Sequence, residues 1–247
     1  MRDYLLFQLY APLSAWGDQA VGQERPTADH PSRSALLGLI AAALGIERYD
    51  QVKQQALNES CNFAIKLYAP GLTLCDFHTI QVPPENKKAK HLHTRKAELA
   101  VSKLGTMLSF RSYQQDSFSV VALWLSESST YTLTQIHQAL ERPHFHLYLG
   151  RKSCPLAISL APLGITAATF EQALDQYPIK YEAMRQWLKL DSKGSAQALR
   201  YYWEPKPSVE TQLTPTYTVP RYDQPLDRKR WQFVSRMEQV ALIGKED

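Results

Sequence analysis

The sequence predicts an α+β domain in which helices pack on one face of a sheet. Three observations lead there. Short β-rich apolar runs, DYLLFQLY at Asp3–Tyr10 and FSVVALWL at Phe118–Leu125, alternate with segments of helical pattern. Turn residues such as Pro70-Gly71 separate neighbouring strand candidates. Hydrophobic residues make up 44% and charged residues 21%, an ordinary balance for a globular core and too apolar for disorder.

Taken in order, the first strand places Leu5, Phe7 and Leu9 on one side and ends at Pro12 and Gly17. The polar, proline-punctuated stretch Gln23–Ser32 reads as a loop. Ser32 is a good N-cap for a helix through Leu44, and Gly45 a good residue just past its end. That helix is apolar on nearly every side, so it belongs deep in the structure. A second helix is expected over Tyr49–Glu59, then strands over Cys61–Tyr68 and Leu72–Val82. Pro83–Lys103 breaks the pattern: it is polar, basic and without strand periodicity. After the Phe118–Leu125 strand, a helical pattern over Tyr131–Arg142 stops at Pro143, and His144–Tyr148 is a short strand candidate. Strand, helix, strand, strand, inserted arm, strand, helix, strand is the order of a ferredoxin-like sheet. From Pro162 a second unit is expected, with a helix near Phe170–Tyr177, a proline-rich stretch and a final segment, Trp231–Leu242, open to either strand or helix.

Charge and cysteines narrow the function. Twenty-eight Lys and Arg against 24 Asp and Glu give a net charge of +4, too small for duplex binding by charge alone, but the positive residues are clustered. Three scattered cysteines without a CxxC argue against a disulfide framework or structural zinc and for a reducing cytoplasm. No apolar stretch is long enough to span a bilayer. His91-x-His93 has no neighbouring carboxylate or thiolate to complete a metal site, so no metal or other cofactor is expected. No GxSxG, HExxH, P-loop or paired-carboxylate motif is present, and no catalytic residue is assigned.

Two separated blocks carry a family resemblance. The first holds Ala11-Pro12, Ala15-Trp16-Gly17, Arg25-Pro26-Thr27, Pro31, Arg33-Ser34 and Leu36-Leu37-Gly38-Leu39; the second is Tyr148-Leu149-Gly150-Arg151-Lys152-Ser153-Cys154-Pro155-Leu156. Phe77-His78-Thr79 and Val121-Ala122-Leu123-Trp124-Leu125 fit as well. Over residues 1–165 the chain resembles the Cas5 family of type I-E CRISPR (Cascade) complexes. The resemblance implies a ferredoxin-like, RRM-related (RAMP) domain over 1–161, with a thumb arm at about 80–112; beyond Pro162 it fades, and the smaller C-terminal subdomain expected over 162–247 rests on general shape. It implies a non-catalytic subunit that holds the 5′ handle of the crRNA beside a Cas7 backbone subunit and a Cas8-type large subunit. Target DNA is then met only through the complex, and no membrane is involved. A Cas5-type, metal-independent endoribonuclease that processes precursor crRNA is the alternative, and an RNA-independent scaffold a third reading.

The candidate RNA contacts follow. Arg25 and Arg33, with Ser34, flank a loop entering a helix N-terminus, where free amides and the helix dipole favour phosphate; the alternative is a surface charge or a structural ion pair. Gly150-Arg151-Lys152-Ser153 joins a permissive glycine, two cations and a hydroxyl directly after Tyr148. In the arm, Lys90, Arg95 and Lys96 belong to the densest basic run of the chain, and the resemblance makes Arg111 the arginine at the thumb base. Trp16 and Tyr148 are candidates for base stacking or for packing on the sheet. A second basic cluster, Arg221, Arg228, Lys229, Arg230 and Arg236, is open to RNA or a protein partner.

Overall fold

The computed structural model describes residues 1–83, 94–100, 103–179, 182–188 and 199–244. In chain order the elements are β1 (Arg2–Tyr10), β2 (Leu13–Ser14), β3 (Glu24–Arg25), α1 (Arg33–Ala43), α2 (Gln51–Ser60), β4 (Cys61–Ala69), β5 (Leu72–Val82), α3 (Arg95–Leu99) and β6 (Gly105–Gln115). They continue with β7 (Phe118–Leu125), α4 (Leu133–Glu141), β8 (Leu163–Ala167), α5 (Phe170–Gln176), α6 (Glu182–Trp187), β9 (Leu199–Trp203), β10 (Tyr217–Asp227) and β11 (Gln232–Ile243).

Seven strands form one antiparallel sheet in the order β10-β11-β9-β4-β7-β1-β8. Its odd-numbered β1 residues, Leu5, Phe7 and Leu9, join Leu36, Leu37 and Ile40 of α1, Leu57 of α2 and Ile136 and Leu140 of α4 in one apolar cluster. The even-numbered ones, Tyr4, Leu6 and Tyr10, join Trp124, Phe170 and Leu174 of α5, Tyr201 and Trp203 in another. Helices therefore cover both faces, not the one face expected. The reason is legible in β1 itself: residues Tyr4 to Tyr10 are all buried, and a strand covered on both sides needs an almost continuous apolar run.

The division expected at residue 162 does not mark a break. β8 hydrogen-bonds to β1, β9 to β4, and β10 and β11 extend the same sheet. Leu160, Tyr202 and Val240 share an apolar cluster with β1 and α1. The final segment is strand, as one of its two readings required. His144–Tyr148 is not a strand; Tyr148 makes only an isolated bridge to Pro155.

Local signals at α1 behave as chemistry demands. The Ser32 hydroxyl accepts from the Ala35 amide at 3.2 Å. Gly45 adopts φ +73°, and the Ile46 and Gly45 amides close onto the Ala41 and Ala42 carbonyls, a Schellman stop.

A second sheet stands off the first. β5 and β6 pair along their whole length, Leu72 opposite Gln115 through Val82 opposite Gly105. The other edge of β6 takes β2 antiparallel and β3 parallel. The ribbon thus starts and ends beyond the expected limits of 80 and 112, because its root is woven into the body.

Candidate nucleic-acid interface

The loop after Leu147 is held against the segment that follows β2. The Ala15 amide donates to the Leu149 carbonyl at 3.1 Å, and the Leu149 amide to the Cys154 carbonyl at 2.8 Å. Gly150 sits at φ +85°, and a Cβ there would lie 1.8 Å from the Ala15 carbonyl oxygen. Its glycine is thus required by approach to the chain's own backbone, not to a phosphate as expected. Lys152 and Ser153 are exposed at the tip, and Tyr148 is partly exposed at the edge.

Three predicted arginines meet at the ribbon root. Arg25 of β3 lies in register with Arg111 of β6. Arg151 reaches across to them, donating to the Ser112 and Arg25 carbonyls, each at 3.1 Å, with its guanidinium 4.6 Å from the Tyr113 ring centroid. Arg25 donates to the Gly22 and Glu24 carbonyls, and Arg111 to the Ser109 hydroxyl. These acceptors carry no net charge, so the hydrogen bonds orient the guanidinium groups without neutralising them. Arg151 is therefore a strap between loop and ribbon as well as a cation, which the reading of a simple exposed charge did not anticipate.

Beside this group runs a cleft of about 350 Å³ lined by Trp16, Ser34, Tyr148, Gly150, Arg151, Arg228 and Trp231. Trp16 and Ser34 also line an adjoining cleft with Tyr222 and Trp231. Trp16 is mostly buried, and its Nε1 has no hydrogen-bond partner among the described residues.

Arg33 is a correction. Its side chain is 5% exposed and donates to the Asn58 and Cys61 carbonyls at 2.6 and 3.0 Å. The guanidinium also lies 3.5 Å from a Glu204 carboxylate oxygen and 5.6 Å from the centre of the Phe63 ring. The anion expected at the α1 N-terminus is a carboxylate from within the chain: Asp223 accepts from the Arg33 amide at 2.7 Å. Asp223 belongs to a buried network. Arg236 donates to Asp223 through two nitrogens, at 2.6 and 2.9 Å, and to Glu238 at 2.6 Å. Glu238 and Asp29 clasp His30 at 2.8 and 2.6 Å, and the imidazole stacks on Tyr202 with centroids 3.7 Å apart. Burial works to lower the His30 pKa, but the Glu238 charge and the hydrogen bonds the imidazole donates to both carboxylates prevail and raise it. Burial works to raise Glu238, and the charges of His30, Arg236 and Arg221 bring it instead to about 2. Asp29 likewise falls to about 2, its burial outweighed by His30, Arg200 and Tyr202.

In the arm, Arg95 is exposed and pairs with Glu98 at 2.7 Å, and Lys96 is exposed on the same short helix. Lys90, with the rest of the basic run to His93, lies outside the described residues. His78 stands on β5 with its Nδ1 2.9 Å from Asp76, in the row that faces Arg111 and Ser109. Of the second basic cluster, Arg221 and Arg236 are drawn into the buried network, whereas Arg228 lines the cleft. Trp231 was not singled out in the sequence. Its signal was an aromatic closing the run Arg228-Lys229-Arg230 at a hairpin turn.

Comparison with known proteins identifies the family and the fold. The family model described as "CRISPR-associated protein (Cas_Cas5)" matches residues 4–237. A relative from Escherichia coli (strain K12), "CRISPR system Cascade subunit CasD", is 34% identical over 187 residues, covering 72% of this chain and 78% of that protein. The fold is shared with a chain of a solved "CRISPR RNA-guided surveillance complex" at TM-score 0.66 and 24% identity, over 98% of this chain and 90% of that one. A structure titled "Crystal structure of Cas protein" aligns at TM-score 0.64 and 22% identity, over 98% and 95%. With nearly its whole length matched by the family model and its fold shared end to end, the chain belongs to the Cas5 family of CRISPR-associated proteins.

Proposed function

We propose that this chain is the non-catalytic Cas5 subunit of a type I-E-like Cascade complex and that it grips the 5′ handle of the crRNA. The observation that carries this is the meeting of Arg25, Arg111 and Arg151 beside the cleft lined by Trp16, Ser34 and Tyr148. Guanidinium groups held by uncharged acceptors suit a phosphate chain, and the aromatic walls suit unpaired bases. Lys152 and Ser153 extend the cationic edge, and the unpartnered Trp16 Nε1 is a donor for a ligand atom. β8-β1-β7-β4, with α1 and α4, has the strand order of a ferredoxin-like core, on which the β5–β6 ribbon with Arg95 and Lys96 acts as the thumb toward a Cas7 backbone subunit. A Cas8-type large subunit then shares the foot of the complex.

The ribonuclease alternative has one observation in its favour, the His78–Asp76 pair beside Arg111. An exposed imidazole oriented by a carboxylate is a general-base arrangement. The binding reading expects His78→Ala to leave guide length unchanged when co-expressed with the other subunits and a repeat array; accumulation of uncut precursor overturns it. RNA binding itself is tested by titrating a labelled handle oligonucleotide across salt concentrations. About four phosphate contacts give a log–log slope of roughly −3, and a flat response contradicts the electrostatic part.

A further inference from the structure

The turn joining β10 to β11 spans Arg228 to Trp231 and carries a feature that stability does not explain. Trp231 sits at φ +53°, in the left-handed region where a turn of this kind ordinarily places glycine or asparagine. A bulky aromatic pays a conformational cost there, yet the residue is 57% exposed and recovers little by burial. The ring is nonetheless held. The Arg48 guanidinium lies 3.9 Å from its centroid, and Arg48 Nε approaches the Arg228 carbonyl at 3.5 Å.

Trp231 lines three clefts, the one with Tyr222 and two more that meet at this turn. Arg48 lines only the rear one, of about 380 Å³, with Tyr49 and Phe145. The front cleft, with Tyr148 and Arg151, sees the ring without Arg48. The indole is thus backed by the Arg48 cation, has the Phe233 ring 6.2 Å away at a 34° tilt, and also lines the cleft that holds Arg151. Arg228 lines the rear and front clefts and spends one nitrogen on the Ser34 carbonyl at 2.6 Å. A guanidinium has five N–H donors, so most of Arg228 remains available. Burial, and then the positive charge of Arg48, push its pKa down: two cations have been brought together. The neighbouring arginines differ. Arg230 pairs with Asp227, Arg236 with Asp223 and Glu238, and Arg221 with Glu238.

We propose that Trp231 and Arg228 form a nucleotide subsite at this turn: an unpaired base of the strand in the front cleft stacks on the exposed part of the Trp231 ring, Arg228 meets the adjoining phosphate, and Arg48 is a positioning residue that backs the ring. An anion between Arg228 and Arg48 relieves their repulsion, and a base covers indole surface that the fold leaves exposed. The inference rests on the RNA-binding reading and adds to it a stacking position in the C-terminal hairpin.

The test uses the full chain and a set of single-stranded handle oligonucleotides, each with 2-aminopurine at one position, a base whose fluorescence is quenched by stacking. Wild type is expected to quench one position. Trp231→Leu should restore that signal and weaken binding about tenfold, the scale of one lost base–aromatic stack. Arg48→Gln should reduce the quench at the same position with a smaller loss of affinity, an effect a merely structural arginine would not confine to one base. If RNA binds and Trp231→Leu leaves the quench intact, this subsite is wrong and the RNA-binding reading stands. If wild type binds no RNA, both fall. Should Trp231→Leu fail to fold, Trp231→Phe decides, since a smaller ring keeps the stack in part; an unchanged quench and affinity in Trp231→Phe together with Arg48→Gln overturns the proposal.

Discussion

Two groups of arginines, alike in the sequence, lead opposite lives in the fold. Arg33, Arg221 and Arg236 point into a buried network whose carboxylates come from Glu204, Asp223 and Glu238. Arg25, Arg111 and Arg151 are held at the ribbon root by carbonyls and a hydroxyl. A guanidinium with a carboxylate has its charge neutralised and becomes architecture; one with a carbonyl is oriented but still charged. What separates a guanidinium left charged from a structural pin is the partner, not the arginine.

That contrast is broken most severely at Arg236. Arg236→Ala leaves Asp223 buried without its cation and strips Glu238 of one of its three, and a loss of about 3–5 kcal/mol in urea denaturation is expected. Next comes pH. The raised His30 pKa makes a contribution that is fully present below about pH 6.5, the ordinary histidine value, and is lost as pH rises through the folded value. Asp29 and Glu238, held to about 2, contribute above the ordinary carboxylate range and lose that contribution as pH falls toward 2. His30→Gln should flatten the alkaline side of a melting-temperature profile and cost about 2 kcal/mol near pH 6, the scale of hydrogen bonds to a charged group. Smaller still, Arg151→Ala should cost about 1–2 kcal/mol through its two hydrogen bonds and the Tyr113 contact, and weaken RNA binding as well. Arg151→Lys should restore more of the binding than of the stability, because it returns the charge without the fork. Lys152→Ala marks the far end: stability within about 0.5 kcal/mol, and a salt slope shallower by about 0.7 if it meets one phosphate. A stability loss at Lys152 equal to that at Arg151 would erase the distinction.

What could be read in advance was local. β5 and β7 have the limits that the apolar runs indicated, and α1 begins at Ser32 and stops at Gly45 for the reasons its residues suggest. The fate of Arg33 was not local. Its partners Asp223 and Glu204 lie 190 and 171 residues away, and only the docking of β9 and β10 brings them to it. The same docking closes the division expected at residue 162 and covers the second face of the sheet. Gly150 shows a milder form of this: a glycine serving close backbone approach was legible, but the backbone it approaches, at Ala15, was not. Register alone brought Arg25 beside Arg111, through a parallel pairing two residues long that no periodicity announces.

Strand β6 has an unequal life along its length. At Phe110–Arg111 and again at Gln114–Gln115 it is paired on both edges, to β5 and to β3 or β2; from Gly105 to Ser109 the pairing is to β5 alone. Mechanically this is a beam built in at one end. Force applied near Val82 and Gly105 bends the free span and is resisted at the Arg25–Arg111 step, so the pivot falls beside the arginine group and not at the tip. Amide exchange along β6 should trace that beam, slow at Arg111 and Tyr113 and quickening outward toward Thr106.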